Sequence, residues 1–326
     1  MSRTVLVTGA AGFIGSHVSD MLLARGDTVI GLDNLNDYYD PSRKRANVAE
    51  VRAGAPDASK FVFVEGDIRD AELLTRLFSE HGIESIAHLA AMAGVRASVD
   101  DPEYYYDVNL NGTLRLLEQA RTHEIESFAF ASTSSVYGNT KVIPFDETDN
   151  ADRPLAPYPA SKRAAELLGY AYHHLHGVDF TALRLFTVYG PRGRPDMMAY
   201  KVLDNIFEGR KVPLYNNGQM HRDWTYVRDI AAGFLLAIDK PQGYAVLNIG
   251  CATPVLLADF VQKLEALAGK PTSLTPMPMQ DADVAYTWAN VTRAREQLGY
   301  EPKVQLDEGI ANFWDWYRRT VLSADA

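Results

Sequence analysis

Short runs of apolar and β-branched residues alternate with stretches of helical periodicity along the first part of the chain. The runs predict strands at 4–8, 28–33, 61–65, 85–90, 128–132 and 180–185, and the stretches predict helices at 16–25, 71–81, 104–121 and 160–176. Strands that are apolar throughout and separated by helices are typical of a parallel sheet covered on both faces. The pattern therefore predicts an α/β fold built on a doubly wound parallel sheet.

The pattern changes at about residue 188, where closely spaced prolines and glycines begin to interrupt the chain. We therefore predict two domains, a sheet domain over 1–187 and a smaller mixed α/β domain over 188–326. A strand at 245–249 and a helix at 259–267 still stand out in the second region. A segment near 225–265 is therefore expected to pack back onto the first domain.

Composition and charge narrow the class of protein. The 326 residues suffice for about two domains, and 47% hydrophobic and 23% charged residues are typical of an ordinary globular protein. Forty-two acidic against 32 basic residues leave a formal net charge of −10, which disfavours nucleic acid and anionic membranes as partners. The single cysteine, Cys251, excludes a disulfide within the chain and fits a reducing compartment. With no targeting or membrane-spanning segment expected, the predicted location is the cytoplasm.

Two polar features favour ordinary structural explanations. The stretch 40–60 predicts a solvated insertion, because it is polar almost throughout. The three histidines within 173–176 lack carboxylates at ligand spacing, so no metal site is expected there or elsewhere.

A turn with three glycines, Gly9, Gly12 and Gly15, joins the first strand to a helix. Glycines allow close approach of a pyrophosphate, and the helix N-terminus supplies free N–H groups and a partial positive charge. Asp33 ends the second strand about 20 residues further on, where a carboxylate accepts hydrogen bonds from an adenosine ribose. This arrangement predicts a dinucleotide site that prefers NAD, because a 2′-phosphate would meet like charge there. Arg43 and Lys44, which follow downstream, could complicate this preference.

A tyrosine and a lysine, Tyr158 and Lys162, stand four residues apart and so share one face of the predicted helix. A cation beside a phenol lowers the phenol's pKa from about 10 toward neutrality, so Tyr158 could take a proton from an alcohol. The spacing alone also fits a surface pair. Together with the glycine turn and the hydroxyl-rich segment 131–138 at a strand end, it favours a catalytic pair.

Nine ordered segments make the chain similar to the extended short-chain dehydrogenase/reductases, specifically the sugar-nucleotide epimerases and dehydratases. They are TGAAGFIG (8–15), Asp33-Asn34, Asp67-Ile68, HLAA (88–91), Asn109, TSSVYG (133–138), YPASK (158–162), LRLFTVYGP (183–191) and HRDWTYV (221–227). The resemblance covers nearly the whole chain. It implies a Rossmann domain with NAD, a smaller C-terminal domain that closes over a nucleoside diphosphate sugar, and a homodimer joined through a four-helix bundle.

Carried onto this sequence, the resemblance implies three sets of site residues. The catalytic set is Thr133, Tyr158 and Lys162. The cofactor-binding set adds to Tyr158 and Lys162 the residues Gly9, Ala11, Gly12, Phe13, Ile14, Gly15, Asp33, Asn34, Asn36, Asp67, Ile68, Leu89, Ala90, Ala91 and Asn109. The substrate-binding set is Arg96, Thr133, Ser134, Ser135, Tyr158, Thr187, Arg194, Tyr215, Arg222, Gln280 and Asp283, with Arg192 as a further anion-binding candidate. Asp67 is either a turn residue or an adenine contact, and Met92 is expected to pack rather than to line the sugar site.

The residues after Thr133 discriminate within this family. The 4,6-dehydratases resemble this chain but carry an Asp-Glu pair there, and the UDP-glucuronate decarboxylases carry a glutamate where Ser135 stands. This chain has Ser134 and Ser135, which disfavours both activities. The chain is most similar to the UDP-glucuronate 4-epimerases in three segments, 93–102, 186–198 and 213–227.

The resemblance implies an isomerase with no net redox change. Hydride transfer from the sugar C4 to NAD, with Tyr158 taking the hydroxyl proton, gives a 4-keto sugar that rotates and is reduced on its other face. The 4-keto glucuronate is a β-keto acid that loses CO₂ readily, so its carboxylate must be held. The hydroxyls of Ser134, Ser135 and Thr187 are expected to hold it by hydrogen bonds. In relatives that act on neutral UDP-galactose, the position of Thr187 is usually asparagine.

Two alternatives stay open: a UDP-glucose/galactose 4-epimerase with the same catalytic residues, and a non-catalytic NAD-binding sensor that kept the fold. A sensor would have no need of an intact proton-transfer set, so the catalytic residues disfavour it. The sequence also departs from the epimerase pattern on the uridine side. Asp281 and Ala282 replace the usual Pro-Gly, and Arg228 stands where an aspartate is usual.

Overall fold

The computed structural model describes residues 2–280 and 282–322. Its strands, β1 to β12 in chain order, are Thr4–Thr8, Thr28–Asp33, Phe61–Glu65, Ser85–His88, Ser127–Thr133, Phe180–Leu185, Thr187–Tyr189, Val212–Tyr215, His221–Tyr226, Tyr244–Ile249, Pro254–Leu256 and Leu274–Met277. Its α-helices, α1 to α11, are Phe13–Ala24, Pro41–Gly54, Ala71–His81, Pro102–Tyr106, Gly112–Thr122, Pro157–His176, Met198–Glu208, Val227–Asp239, Leu257–Ala268, Thr292–Leu298 and Leu306–Tyr317.

Seven parallel strands form the main sheet in the order β10-β6-β5-β4-β1-β2-β3. The order reverses between β1 and β4, and such a switch point opens a crevice at the carboxyl ends of the strands. The predicted doubly wound parallel sheet is confirmed. Strand β10 extends its edge beside β6 although it lies far along the chain, and the division into domains at 187 and 188 stays a prediction.

Both faces of this sheet are covered by apolar side chains. Along β1, Val5 and Val7 belong to one buried cluster with Leu22 of α1, whereas Leu6 belongs to a second cluster with Leu117 of α5. Alternate residues of a strand point to opposite faces, so burial on both faces requires every position to be apolar. This requirement is why the strands were visible in the sequence as continuous apolar runs.

The prediction of a solvated insertion at 40–60 is wrong, because most of this stretch forms α2. Asp40 caps the helix by accepting a hydrogen bond from the backbone N–H of Ser42 at 2.8 Å. The buried face of α2 carries Lys44, Asn47 and Val51. Asn47 Nδ2 donates to the carbonyl oxygen of Ala11 at 2.9 Å, so α2 packs against the glycine turn. Two of the three buried side chains are polar, so the sequence shows no apolar stripe that would predict this helix.

The helix predicted at 104–121 is interrupted. A π-helical stretch, Asp107–Asn111, separates α4 from α5. Beyond the main sheet, β7, β9 and β11 form a small mixed sheet, and β8 pairs with β12 in parallel. Among the helices of residues 2–280 and 282–322, none is long and apolar enough to cross a membrane.

Candidate active site

A cleft of about 390 Å³ opens at the carboxyl ends of the main-sheet strands, a size typical of small-molecule sites. Most of the predicted site residues line it: Gly9, Gly12, Phe13, Ile14, Gly15, Asp33, Asn34, Asn36, Asp67, Ile68, Leu89, Ala90, Ala91, Thr133, Ser134, Ser135, Tyr158, Lys162, Thr187 and Arg194. These residues are distant in the chain but meet because parallel strands end at the same edge of the sheet.

The turn between β1 and α1 lines the cleft and depends on its glycines. Gly9 has a φ of 70°, and a Cβ there would lie 2.8 Å from the backbone nitrogen of Ala90. A Cβ on Gly15 would lie 2.1 Å from the carbonyl oxygen of Gly9. Packing of the turn itself therefore requires both glycines. The first turn of α1 then presents backbone N–H groups to the cleft, which suits the pyrophosphate of a dinucleotide.

Two backbone N–H groups hold the carboxylate of Asp33 at the end of β2. Ala11 N donates to Oδ2 at 3.1 Å, and Leu35 N donates to Oδ1 at 2.9 Å. Burial raises the pKa of Asp33, while the Leu35 hydrogen bond and the charge of Lys44 lower it. Lys44 also lines the cleft, and its Nζ donates to the backbone oxygen and Oδ1 of Asn36 at 2.8 and 2.7 Å. A cation therefore accompanies the predicted ribose-binding carboxylate.

Asp67, which follows β3, lies in the cleft and is held by its neighbours. It lines the cleft, and it accepts hydrogen bonds from Asn34 Nδ2 at 2.9 Å and from Arg69 Nη2 at 2.8 Å. Burial raises its pKa, but the hydrogen bonds from Arg69 and Asn34 outweigh this effect and lower the pKa of Asp67 to about 2. The carboxylate is therefore ionised at neutral pH. Its contact with adenine stays a prediction.

The proton-transfer residues come from two elements. Thr133 ends β5, Tyr158 lies in the first turn of α6, and the Thr133 side chain is near enough to the phenol to act on its pKa. Burial raises the pKa of Tyr158, whereas the charge of Arg194 and the Thr133 hydrogen bond lower it. The expectation that Lys162 brings this pKa toward neutrality stays a prediction. The net shift is upward, and the cation that acts on the phenol is Arg194.

Lys162 is buried one turn further along α6, with its Nζ 4.1 Å from the ring centroid of Phe130. Within residues 2–280 and 282–322, this Nζ has no hydrogen-bond partner. Burial lowers the pKa of Lys162 to about 7, although the charge of Glu166 raises it. A buried donor without a partner at a cleft is costly unless a ligand supplies an acceptor. The lysine therefore fits the ribose hydroxyls of a nicotinamide nucleotide.

Hydroxyl groups line the cleft on the side of β5 and β6. Ser134 and Ser135 begin a short 3₁₀ turn directly after β5, where the Ser135 backbone N–H donates to Thr133 Oγ1 at 3.1 Å. Thr187 begins β7 just after β6. Arg194 lies in the same cleft, and its Nε and Nη2 donate to the carboxylate of Asp196 at 2.9 and 3.0 Å.

Carboxylates line a different part of the cleft. Among the described residues, its acidic lining consists of Asp33 and Asp67, which follow β2 and β3. Strands β1 and β4 separate these positions from β5 and β6. The hydroxyl-rich side therefore offers an anionic group hydrogen-bond donors away from these two carboxylates.

The remaining predicted substrate residues lie outside the cleft lining but contact one another. Arg96 Nη2 and Arg222 Nη2 donate to the two carboxylate oxygens of Asp283 at 2.8 and 3.2 Å. The Arg96 guanidinium lies 3.9 Å from the ring centroid of Tyr215. Asp283 N donates to the carbonyl oxygen of Gln280 at 3.0 Å. These five residues form one cluster, which we call the arginine–aspartate cluster.

Two predicted cofactor residues do not line the cleft. The backbone of Ala11 is engaged by the side chains of Asp33 and Asn47. Asn109 is buried in the π-helical stretch, and its Nδ2 donates to Met92 O at 3.0 Å and to Ser161 Oγ at 2.9 Å. Asn109 therefore fastens the loop after β4 to α6, which is a structural role beside the cleft.

The interpretation of Arg192 as an anion-binding residue is wrong. Its guanidinium donates to Asp20 at 2.7 Å and to Glu50 at 2.8 Å, so two carboxylates already occupy it. Of the positions that depart from the epimerase pattern, Arg228 is exposed on α8 away from the cleft lining, and Asp281 lies outside the described residues. No group of acidic, histidine or cysteine side chains in the described part of the chain could hold a metal ion.

Comparison with known proteins identifies the family. Residues 6–313 match the family model described as GDP-mannose 4,6 dehydratase. A UDP-glucuronate 4-epimerase of Thermodesulfobacterium geofontis is 40% identical over 317 residues, which cover 97% of this chain and 96% of that protein. The chain belongs to this family of extended short-chain dehydrogenase/reductases. The resemblance inferred from the sequence motifs is therefore confirmed.

Solved structures of the family agree with this fold. A UDP-glucuronic acid 4-epimerase of Bacillus cereus, in complex with UDP-glucuronic acid and NAD, superposes with a TM-score of 0.89 at 32% identity, covering 97% of this chain and 99% of that chain. A UDP-glucose 4-epimerase of Thermotoga maritima superposes with a TM-score of 0.88 at 33% identity, covering 98% and 100% of the two chains.

Some cleft residues of this family member were not predicted from its sequence. Tyr38, Met92, Lys44 and Met197 all line the cleft. Met92, which was expected only to pack, is buried and also receives a hydrogen bond from Asn36 Nδ2 to its sulfur at 3.7 Å. Tyr38 lies in a loop without a motif, so the sequence contained no signal for it, whereas Met197 lies in the segment 186–198 that resembles the epimerases. For Lys44, the available signal was the pair Asp40-Pro41, which is typical of a helix start and would have predicted the helix that carries Lys44.

Proposed function

We propose that the chain is an NAD-dependent UDP-glucuronate 4-epimerase that interconverts UDP-glucuronate and UDP-galacturonate. The observation that carries this function is the grouping of the Ser134, Ser135 and Thr187 hydroxyls beside the Thr133–Tyr158 pair, away from the cleft carboxylates. A site of this kind can bind a sugar carboxylate and still act on a neighbouring hydroxyl. The similarity to curated UDP-glucuronate 4-epimerases over nearly the whole chain supports the same activity.

NAD is the cofactor of this reaction, and the residues present fit it. The N–H groups of the glycine turn would hold the pyrophosphate, Asp33 the adenosine ribose, and the unpartnered Nζ of Lys162 the nicotinamide ribose. When bound, NAD supplies a hydride acceptor for the sugar C4 and gives the hydride back. The reaction needs no second oxidant, because it is overall an isomerisation.

Tyr158 moves the proton that accompanies these two hydride transfers. As a phenolate it accepts the proton of the 4-hydroxyl, and as a phenol it returns that proton after the 4-keto sugar has rotated. The Thr133 hydroxyl stands beside the phenol and would hydrogen-bond the reacting hydroxyl of the sugar. The positive charge of Arg194 favours the phenolate against the cost of burial. Inversion at C4 follows because the two faces of the ketone are presented in turn.

The hydroxyls of Ser134, Ser135 and Thr187 would determine which product forms from the 4-keto sugar. Hydrogen bonds from Ser134, Ser135 and Thr187 to the carboxylate would keep its C–C bond from aligning with the carbonyl π-system, which loss of CO₂ requires. The same positions also disfavour dehydration, because elimination across C5 and C6 needs an acid and a base there and this chain presents two serines. Epimerisation is the outcome that these side chains leave open.

The arginine–aspartate cluster is the proposed site of the uridine diphosphate. Arg222 would bind the diphosphate and Asp283 the uridine ribose, with Tyr215 and Gln280 on the segment that lines the uracil. Arg96 and Arg222 are paired with Asp283 in the cofactor-free structure. Binding of the diphosphate therefore requires the arginines to exchange part of this pairing for phosphate oxygens, a change that their forked geometry suits.

The protein is proposed to act as a cytoplasmic homodimer. Helix α6 exposes three large apolar side chains, with exposed fractions of 55% for Leu167, 51% for Tyr170 and 69% for Leu175. Leu114 of the neighbouring α5 is also exposed. Pairing of α5 and α6 with their copies would bury this surface in a four-helix bundle. The cytoplasmic location is supported by the single cysteine, Cys251.

The experiment that tests this function is product analysis by NMR. The purified protein is incubated with UDP-glucuronate and, separately, with UDP-glucose, each with and without added NAD. UDP-galacturonate from the first and no product from the second is the expected result. UDP-galactose from the second would move the substrate class to UDP-glucose, the substrate type of the Thermotoga maritima relative. A pentose product would contradict the role of the hydroxyls, and inertness with NAD would favour an NAD-binding sensor.

A further inference from the structure

Glu166 is a buried carboxylate of α6 that the proposed reaction does not use. It has no exposed surface and lies one turn beyond Lys162. Its Oε1 accepts hydrogen bonds from Ser132 Oγ and, at 3.0 Å, from Arg184 Nε. Its Oε2 accepts from Arg184 Nη2 at 2.8 Å and from Arg163 Nη1 at 3.0 Å. The carboxylate is therefore fully hydrogen-bonded although it lies inside the protein.

These contacts join the three elements that carry the proton-transfer and hydroxyl residues. Ser132 precedes Thr133 at the end of β5, and Arg184 lies in β6, which leads to Thr187. Glu166 itself is part of α6, which carries Tyr158 and Lys162. Arg163 differs from the other partners, because it belongs to α6 and its Nη2 donates to the carbonyl oxygen of Asn150, away from both strands.

Glu166 is also the charged neighbour that favours the protonated form of Lys162. On α6, Tyr158 and Glu166 lie one turn to either side of the lysine. On β4, the buried His88 is held neutral, because burial and the lysine's charge both lower its pKa. On β5, the Phe130 ring faces Nζ. The Arg184 guanidinium of β6 is turned to Glu166 by two hydrogen bonds.

We infer that Glu166 is a positioning residue for the reaction, because its carboxylate holds the ends of β5 and β6 against α6 and so fixes Lys162 and Tyr158 relative to Thr133. This inference rests on the proposed function. Glu166 touches neither substrate nor cofactor, and it acts through Ser132 and through the charge state of Lys162. Two consequences follow, one for the rate of the chemical step and one for the pH dependence of cofactor binding.

The test compares two altered contacts with a matched control in the full-length protein. Glu166→Gln keeps the shape of the side chain but removes its charge. Ser132→Ala removes the contact with β5 and also alters a side chain of the cleft lining, so the NAD dissociation constant is measured for this variant as well. The control, Arg163→Gln, removes a hydrogen bond to the same carboxylate without touching either strand. Values of kcat and KM for UDP-glucuronate are measured at saturating NAD. The dissociation constant of NAD is measured separately by calorimetry from pH 6 to 9.5, without sugar.

We expect kcat to fall at least tenfold in Glu166→Gln and Ser132→Ala, with KM within threefold, and to stay within threefold in the control. The pH above which NAD binding weakens is expected to fall in Glu166→Gln alone, because Lys162 then loses its proton more readily. Equal losses of kcat in Glu166→Gln and the control would overturn the inference. A wild-type kcat in Ser132→Ala would overturn it as well. If Glu166→Gln does not fold, Ser132→Ala alone tests the inference. If the wild type converts no nucleotide sugar, the proposed function fails. An unchanged pH dependence of the NAD dissociation constant in Glu166→Gln overturns the positioning role by itself.

Discussion

Tyr158 is the residue on which the proposed chemistry depends most directly. Tyr158→Phe removes the proton-transferring oxygen and keeps the ring, which packs edge-on against Tyr105 with centroids 6.3 Å apart. Loss of a general acid–base group costs about 10²–10⁴-fold in rate, so kcat should fall by this factor while the NAD dissociation constant stays within about threefold. Tyr170→Phe, which alters an exposed phenol on the same helix, should retain wild-type kcat. A Tyr158→Phe enzyme within tenfold of wild type would contradict the mechanism.

Lys162 makes the stability of the cofactor-free protein depend on pH. Burial lowers its pKa in the folded protein to about 7, against about 10.5 when unfolded, so the unfolded chain binds more protons between these values. Unfolding free energy therefore rises with pH across this window, by up to about 1.4 kcal/mol per pH unit. Urea denaturation of cofactor-free protein at pH 7, 8 and 9 should show this rise. Lys162→Met should lack it, and parallel profiles of the two proteins would show that the lysine is not responsible.

The serines after Thr133 should control both affinity and product. Replacing Ser134 and Ser135 together by alanine removes two expected donors to the sugar carboxylate, each contributing about 1.5–3 kcal/mol. We expect kcat/KM for UDP-glucuronate to fall at least about tenfold, since about 1.4 kcal/mol corresponds to one factor of ten. A pentose should also appear among the products by NMR as the 4-keto acid loses CO₂. The activity of Ser98→Ala, a buried serine outside the cleft lining, should be unchanged.

At the level of elements, the turn between β1 and α1 has no space for a side chain at Gly15. A Cβ there would lie 2.1 Å from a backbone oxygen of the same turn, which cannot move without displacing β1 or α1. Gly15→Ala should therefore lower the unfolding free energy by at least about 3 kcal/mol, at the upper end of overpacking costs. Gly54→Ala, in the last turn of α2 with open space around it, should instead be stabilising by about 0.5–1 kcal/mol. Chemical denaturation of both variants measures the contrast.

The same elements show what the sequence could and could not predict. The main-sheet strands were found because burial on both faces makes them continuously apolar, and Thr4–Thr8 and Phe180–Leu185 agree to the residue. Helix α2 was missed because its buried side chains include Lys44 and Asn47, whose polar ends are used in hydrogen bonds rather than exposed. The interruption of the helix at 104–121 was missed as well, because π-helical stretches are rare and short within α-helices and the prediction considered only α-helical spacing.

For the whole molecule, motifs predicted which residues meet but not how their charges combine. The parallel sheet brings Asp33, Thr133 and Tyr158 to one edge, which the strand–helix pattern implies. The action of Arg194 on Tyr158 depends on a loop beyond β6, and the pairing of Arg96 with Asp283 joins residues 187 positions apart. Neither contact has a signature in local spacing. Sequence reasoning therefore identified the cleft better than the electrostatics inside it.

The proposed homodimer leads to a prediction for the whole assembly. Leu167, exposed in the single chain, should lie in the centre of a bundle formed by α5 and α6 with their copies, where a glutamate would place like charges together across a two-fold axis. Leu167→Glu should therefore sediment as a monomer in analytical ultracentrifugation at concentrations at which the wild type is a dimer. Val142→Glu, which alters another exposed apolar residue in the loop between β5 and α6, should stay dimeric. Because Tyr158 and Lys162 belong to the same helix α6, separation of the dimer should also lower kcat, and a fully active monomer would show that the site needs no support from the interface.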